Sequence, residues 1–149
     1  MLEDRLEQDI KTALLAGDST KATTLRGLKA VLINEKVAKG KRDSGLSDEE
    51  VIISFTKEAK KRQESAELYL KGGSKERSEA ELKEKAIIEE YLPPSLSEEE
   101  ISKLVDETIA SEGATDIKFM GQVIAKVKAK AGPTADGGLI ARMTKERLQ

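Results

Sequence analysis

The chain has 149 residues, of which 38% are apolar, 36% charged and only 3% aromatic, and its formal net charge is −2. It holds no cysteine and no histidine, which excludes disulfides, thiolate nucleophiles, imidazole bases and the usual zinc ligands together. A chain of this length makes one domain or two small ones, and its Ala, Glu, Lys and Leu content with few aromatics predicts an all-α protein with a thin core.

The first residues, Met1-Leu2-Glu3-Asp4, are acidic and do not read as a secretory signal. No apolar run approaches the ~20 residues of a membrane span. The expectation is a soluble, cytoplasmic protein with no membrane partner. Leu2, Leu6, Ile10, Ala13 and Leu14 then recur at helical spacing. Gly17 is expected to end this helix and Asp18 to cap the next. The second helix carries Leu25, Leu28 and Leu32 and runs to about Lys39-Gly40. Lys36, Lys39, Lys41 and Arg42 gather at its end. Cations there compensate the helix dipole, a reading favoured over a phosphate-binding patch.

After a polar turn, Ser47 and Glu50 have the spacing of a capping box. The third helix runs to about Lys71, closed by Gly72-Gly73, with Ile52, Phe55, Ala59, Ala66, Tyr69 and Leu70 on its expected stripe. Ser74 is placed to cap a fourth helix bearing Ala80, Ile87, Ile88 and Tyr91. Pro93-Pro94 stops it, because proline lacks the backbone donor and pushes its predecessor out of the helical region. The expected division is an N-terminal four-helix domain, residues 1–94, and a small three-helix domain, residues 95–149.

Ser97 and Glu100 form a second capping-box pattern, opening a helix with Ile101, Leu104, Val105 and Ile109. After Gly113, Asp116 is placed to cap a helix carrying Met120, Val123, Ile124 and Val127. A loop from Gly132 to Gly138 leads to a last helix with Leu139, Ile140, Met143 and Leu148. This last quarter is the basic part of a mildly acidic chain.

Chemistry is sparse. The carboxylates sit at exposed helix starts or beside lysine at helical spacing, and no metal loop or P-loop spacing occurs. Lys71-Gly72-Gly73-Ser74 reads as a glycine stop followed by a serine cap rather than a catalytic loop. No cofactor and no metal is expected, and no catalytic residue can be named. On a helical wheel Lys118 lies nearly opposite the Met120–Val127 stripe, Lys126 and Lys128 flank the polar half on either side, and Lys130 falls near the edge of the stripe. These lysines make either an ordinary solvated face or a phosphate-contact surface, with the loop from Gly132 to Gly137 offering backbone N–H groups. No aromatic residue interleaves with them, so contacts would read shape and charge.

Several stretches together resemble the YqeY family, which is similar to the C-terminal tail of the GatB subunit of tRNA-dependent amidotransferases. They are Thr24-Leu25-Arg26-Gly27-Leu28-Lys29-Ala30, Lys60-Lys61-Arg62-Gln63-Glu64-Ser65, Tyr91 through Glu100, Phe119-Met120-Gly121-Gln122-Val123 and Gly132 through Gly137. The resemblance implies a helical domain joined to a three-helix domain, and a link to tRNA. In the loop, Pro133-Thr134 stands where the family often carries a basic residue. The expected role of Arg62 and its neighbours is packing between the domains, since long polar side chains at helical spacing commonly bridge helices. Family descriptions add carbon–nitrogen ligase activity with glutamine as amido-N-donor, for which this chain offers no activated nucleophile. The expected function is a non-catalytic accessory protein engaging tRNA, or an aminoacyl-tRNA amidotransferase or synthetase complex, through Lys118, Lys126, Lys128, Lys130, Gly132 and Gly137. The alternatives are a component of glutamine-dependent amide transfer and a protein–protein adaptor.

Overall fold

The computed structural model describes all of Met1–Gln149. It contains seven α-helices and no strand: α1 Leu2–Leu15, α2 Ser19–Lys39, α3 Asp48–Lys71, α4 Lys75–Glu89, α5 Glu98–Glu112, α6 Met120–Ala131 and α7 Gly137–Leu148, with a 3-10 turn at Ile117–Phe119. The chain divides into two compact units, Met1–Leu92 and Pro93–Gln149.

In the first unit α1 packs on α2, and α4 lies chiefly along α3. Leu6, Leu25, Leu28, Phe55 and Ile88 are the largest of its fully buried side chains. Burying a side chain of this size stabilises by roughly 1.5–3 kcal/mol, so this small set supplies much of the driving force. Caps hold the helix ends. Asp18 accepts from the Lys21 amide at 3.1 Å, and Ser47 with Glu50 makes the reciprocal capping box. Gly40 adopts the left-handed conformation that closes α2. The cations at the end of α2 are spent internally. Lys36 pairs with Glu3, Lys39 with Glu35 at 3.2 Å, and Lys41 with Glu50 at 2.6 Å. They brace the unit, and of the four cations gathered there only Arg42 is exposed without an ion pair.

The expected stripes needed trimming. Leu14 at the end of α1 is exposed, as are Tyr69 and Leu70 on α3 and Ala80 on α4. The reason is reach. Between Ala59 and Ile87 only Ala66 and Ser78 are buried, and neither joins the main apolar cluster of this unit. Over that length α3 and α4 are joined mainly by polar side chains. Arg62 donates to Glu58 at 3.1 Å and to Glu84 at 3.0 Å, and Lys85 donates to Gln63 at 3.0 Å. The Arg62-Gln63 pair thus bridges two helices of one unit. Ser74 occupies the position before α4 but makes no side-chain cap.

In the second unit α5, α6 and α7 enclose Ile101, Val105, Val123, Val127, Ile140 and Leu148. Ser97 and Glu100 form a second reciprocal capping box, with bonds of 3.1 and 2.8 Å. Thr108 and Thr144 are fully buried and donate to the carbonyls of Leu104 and Ile140, at 2.7 and 2.8 Å. Their hydroxyls therefore carry no desolvation debt. Asp116 caps the 3-10 turn through the Lys118 amide, at 2.8 Å, and α6 begins only at Met120.

Candidate functional site

The basic residues of the second unit divide into two sides of α6. At 100° per residue, Lys126 and Lys128 stand on opposite flanks of the buried Val127. Lys126 turns toward α5 and forms an ion pair with Glu112, the last residue of that helix. The Gln122 side chain donates to the same carboxylate at 2.6 Å. These two partners, Lys126 foremost, hold the Glu112 carboxyl below its usual range. Lys130 follows one turn later on the same flank and is exposed.

Lys128 turns to the other side. A Cβ built on Gly137 would lie 3.1 Å from Lys128 Cε and 3.2 Å from its Nζ. Gly137 therefore makes room for this ammonium group at the start of α7. Gly132 serves differently: its φ of +89° is a conformation that L side chains rarely adopt.

The loop does not form the open cradle of N–H groups that the sequence suggests. Asp136 Oδ1 accepts from the amides of Gly138 at 2.9 Å and Leu139 at 3.3 Å. The protein's own carboxylate thus fills the N-terminal end of α7. Lys118 also departs from its expected place, lying on the 3-10 turn rather than on the α6 wheel. The structure brings Lys128 and Gly137 together and sets Lys126 and Lys130 apart from them on the opposite flank. Lys118 belongs to neither group.

Two residues join the candidate surface that sequence reasoning had left in the general basic count. Ile140, Thr144 and Leu148 are the buried stripe of α7. Gly138, Arg142 and Lys145 follow one another at i, i+4 and i+7 along the exposed side. Their spacing opposite the apolar stripe was the available signal. Arg147, by contrast, is spent on Asp106 and on the Ser102 hydroxyl at 2.5 Å, bracing α7 on α5. Lys128, Arg142 and Lys145 are exposed cations without an ion pair, as are Lys118 and Lys130, and Glu146 is exposed beside them on α7. Exposed cations of this kind attract polyanions by charge. No helix is long and apolar enough to cross a membrane.

A family model described as "Yqey-like protein" matches residues 3–148. The chain is similar to "Altered inheritance of mitochondria protein 41, mitochondrial" from Eremothecium gossypii, with 34% identity over 103 residues. That match covers 68% of this chain and 55% of the relative, so the chain spans little more than half of that protein. It is also similar to the protein of the same name from Kluyveromyces lactis, 27% identical over 157 residues, covering 97% of this chain and 82% of the relative. Both names carry the word mitochondrial, which overturns the cytoplasmic expectation. That expectation rested on the lack of a secretory-signal pattern and of a membrane-length apolar run, and neither distinguishes the cytoplasm from the mitochondrion.

Proposed function

The chain belongs to the Yqey-like protein family, and from that membership we propose that it is a non-catalytic accessory protein that engages tRNA, or a complex handling tRNA. In this reading residues 95–149 are a separate three-helix domain, similar to the tail of the GatB subunit, and they make the contact. The observation that supports the reading is that Lys128 on α6 and Arg142 and Lys145 on α7 are exposed and unpaired, whereas Lys126 and Arg147 are held in internal pairs. Guanidinium and ammonium groups along a helix match phosphate oxygens and carry no base information, so contacts position an RNA body rather than read its sequence. A net charge of −2 makes the binding modest and salt-sensitive.

A non-catalytic role follows the side-chain inventory. With no cysteine and no histidine, the chain lacks the usual nucleophile and base for releasing ammonia from glutamine. The names of the relatives carry a mitochondrial setting, so the tRNA offered in a test includes a mitochondrial preparation. The test is electrophoretic titration of tRNA with the wild-type chain and with K128Q/R142Q/K145Q. The reading predicts a retarded complex that the triple variant loses. A wild-type chain that leaves tRNA unretarded at low salt contradicts it.

A further inference from the structure

We propose that Glu112 is an intramolecular competitor for polyanions: by occupying Lys126 it holds in reserve a second cationic strip, Lys126 and Lys130, on the α5-facing flank of α6. The proposal rests on the reading of the second unit as a phosphate-contacting module and assigns that module a built-in limit on affinity.

The geometry supplies three parts of the argument. Glu112 ends α5, and the last turn of that helix contains no basic residue. A carboxylate at a helix C-terminus opposes the dipole and is poorly placed unless a cation meets it. Lys126 is that cation, arriving from α6, and Gln122 holds the other carboxylate oxygen at 2.6 Å. Second, the two partners differ in access. The Glu112 side chain is 16% exposed, whereas that of Lys126 is 50% exposed. A phosphate can therefore approach Lys126 without any helix moving. Third, Lys130 lies one turn further along the same flank, a rise of about 6 Å, and adds to the field at Glu112. Gln122, Lys126 and Lys130 make a row of donors with Glu112 seated on its first two members.

An internal carboxylate competes at high local concentration but carries a single charge. A polyphosphate backbone presents several charges and gains from Lys130 as well. Glu112 keeps Lys126 from contributing to polyanion binding in the wild type, and its removal frees Lys126, with Lys130 beside it, for phosphate. Because Glu112 acts through Lys126 and touches no ligand, it is a positioning residue.

The experiment is tRNA titration at several salt concentrations with the full chain. The proteins are wild type, E112Q, K126Q, E112Q/K126Q, the charge-reversed pair E112K/K126E, and E99Q as a control that removes an exposed α5 carboxylate. E112Q is expected to bind roughly three- to tenfold more tightly, with a salt slope steeper by about one unit, as for one added phosphate contact. E99Q and K126Q stay near wild type, the double variant loses the gain, and the charge-reversed pair keeps a fold that E112Q alone cannot be blamed for losing. E112Q indistinguishable from E99Q, or a gain that survives loss of Lys126, overturns the proposal while leaving tRNA binding intact. Absence of salt-dependent binding in both wild type and E112Q overturns the module reading and the proposal together.

Discussion

The Tyr91 hydroxyl donates a hydrogen bond to Asp9 Oδ2, tying the chain just beyond α4 to the middle of α1. The Tyr91 ring meets Phe55 edge-to-face at 5.6 Å, and the Arg5 guanidinium sits 4.4 Å from the ring centre. Arg5 also donates to the Glu90 carbonyl at 3.2 Å. The first unit is thus anchored two residues before Pro93-Pro94, and the prolines act on a chain end already held by tertiary contacts. Y91F keeps the ring and loses the bond, and is expected to cost about 1–2 kcal/mol. Y91A also leaves a cavity and should cost about 3–5 kcal/mol. Denaturant unfolding at neutral pH measures both, and Y91A no worse than Y91F would mean the ring is not part of the core.

The same group has an alkaline signature. Burial first, then the bond to Asp9, raises the Tyr91 pKa well above its ordinary value of 10.0. A raised folded pKa means that the contribution is complete below pH 10 and lost as pH climbs beyond it. The wild-type unfolding midpoint should fall above pH 10 more steeply than that of Y91F. Parallel curves would show that Tyr91 titrates alike in folded and unfolded chains.

Glu50 carries the corresponding acid signature. The Lys41 ammonium at 2.6 Å, then the Ser47 amide, lower its pKa from 4.5 to about 2. A lowered folded pKa contributes stability that is present above pH 4.5 and lost as pH falls toward 2. E50Q should reduce the loss of stability between pH 5 and pH 2, approached in about half-unit steps. An acid limb unchanged in E50Q would place the acid-sensitive group elsewhere.

Arg62 holds the part of the α3–α4 hairpin that lies beyond the core. Its neighbour Glu58 is buried, and Glu84 reaches it from α4. R62M leaves the Glu58 carboxylate with Lys61 as its remaining cation, at 3.0 Å, and is expected to cost about 1–3 kcal/mol, discounted for the partial exposure of Arg62. Hydrogen exchange locates the effect: amides of 62–85 should exchange faster while those around Leu28 hold. Uniform acceleration across the first unit would mean the hairpin is not separately held.

The Thr24 hydroxyl is buried without a hydrogen-bond partner. T24V replaces it with a methyl group of similar shape and should stabilise the chain by about 1 kcal/mol, whereas T24S keeps the orphan and loses packing. A destabilised T24V would show that the hydroxyl is satisfied in solution.

Helix positions and the caps at Asp18, Ser47 and Ser97 were legible because they depend on near neighbours. Ser47 with Glu50 and Ser97 with Glu100 are three residues apart, and the structure forms both boxes. Periodicity failed at Tyr69 and Leu70, because it reports which side of a helix is apolar and not how far the neighbouring helices extend. The engagement of Lys126 was hidden for a related reason. Its partner Glu112 lies fourteen residues away, across a turn whose path the sequence does not reveal. Lys118 was misplaced because Asp116 capped a 3-10 turn instead of a helix. Gly137 looked like a source of backbone donors, and its use is to leave space for Lys128. Arg142 and Lys145 were readable at helical spacing once the Ile140, Thr144 and Leu148 stripe was set against them.

The most direct test of the account is the slope of log affinity against log salt for tRNA binding by the full chain, compared between wild type and K128Q/R142Q/K145Q. Each lost phosphate contact removes about 0.7–0.9 of a unit, so the triple variant should bind more weakly and with a slope shallower by about two units. Equal slopes in the two proteins would contradict the assignment of tRNA contact to Lys128, Arg142 and Lys145.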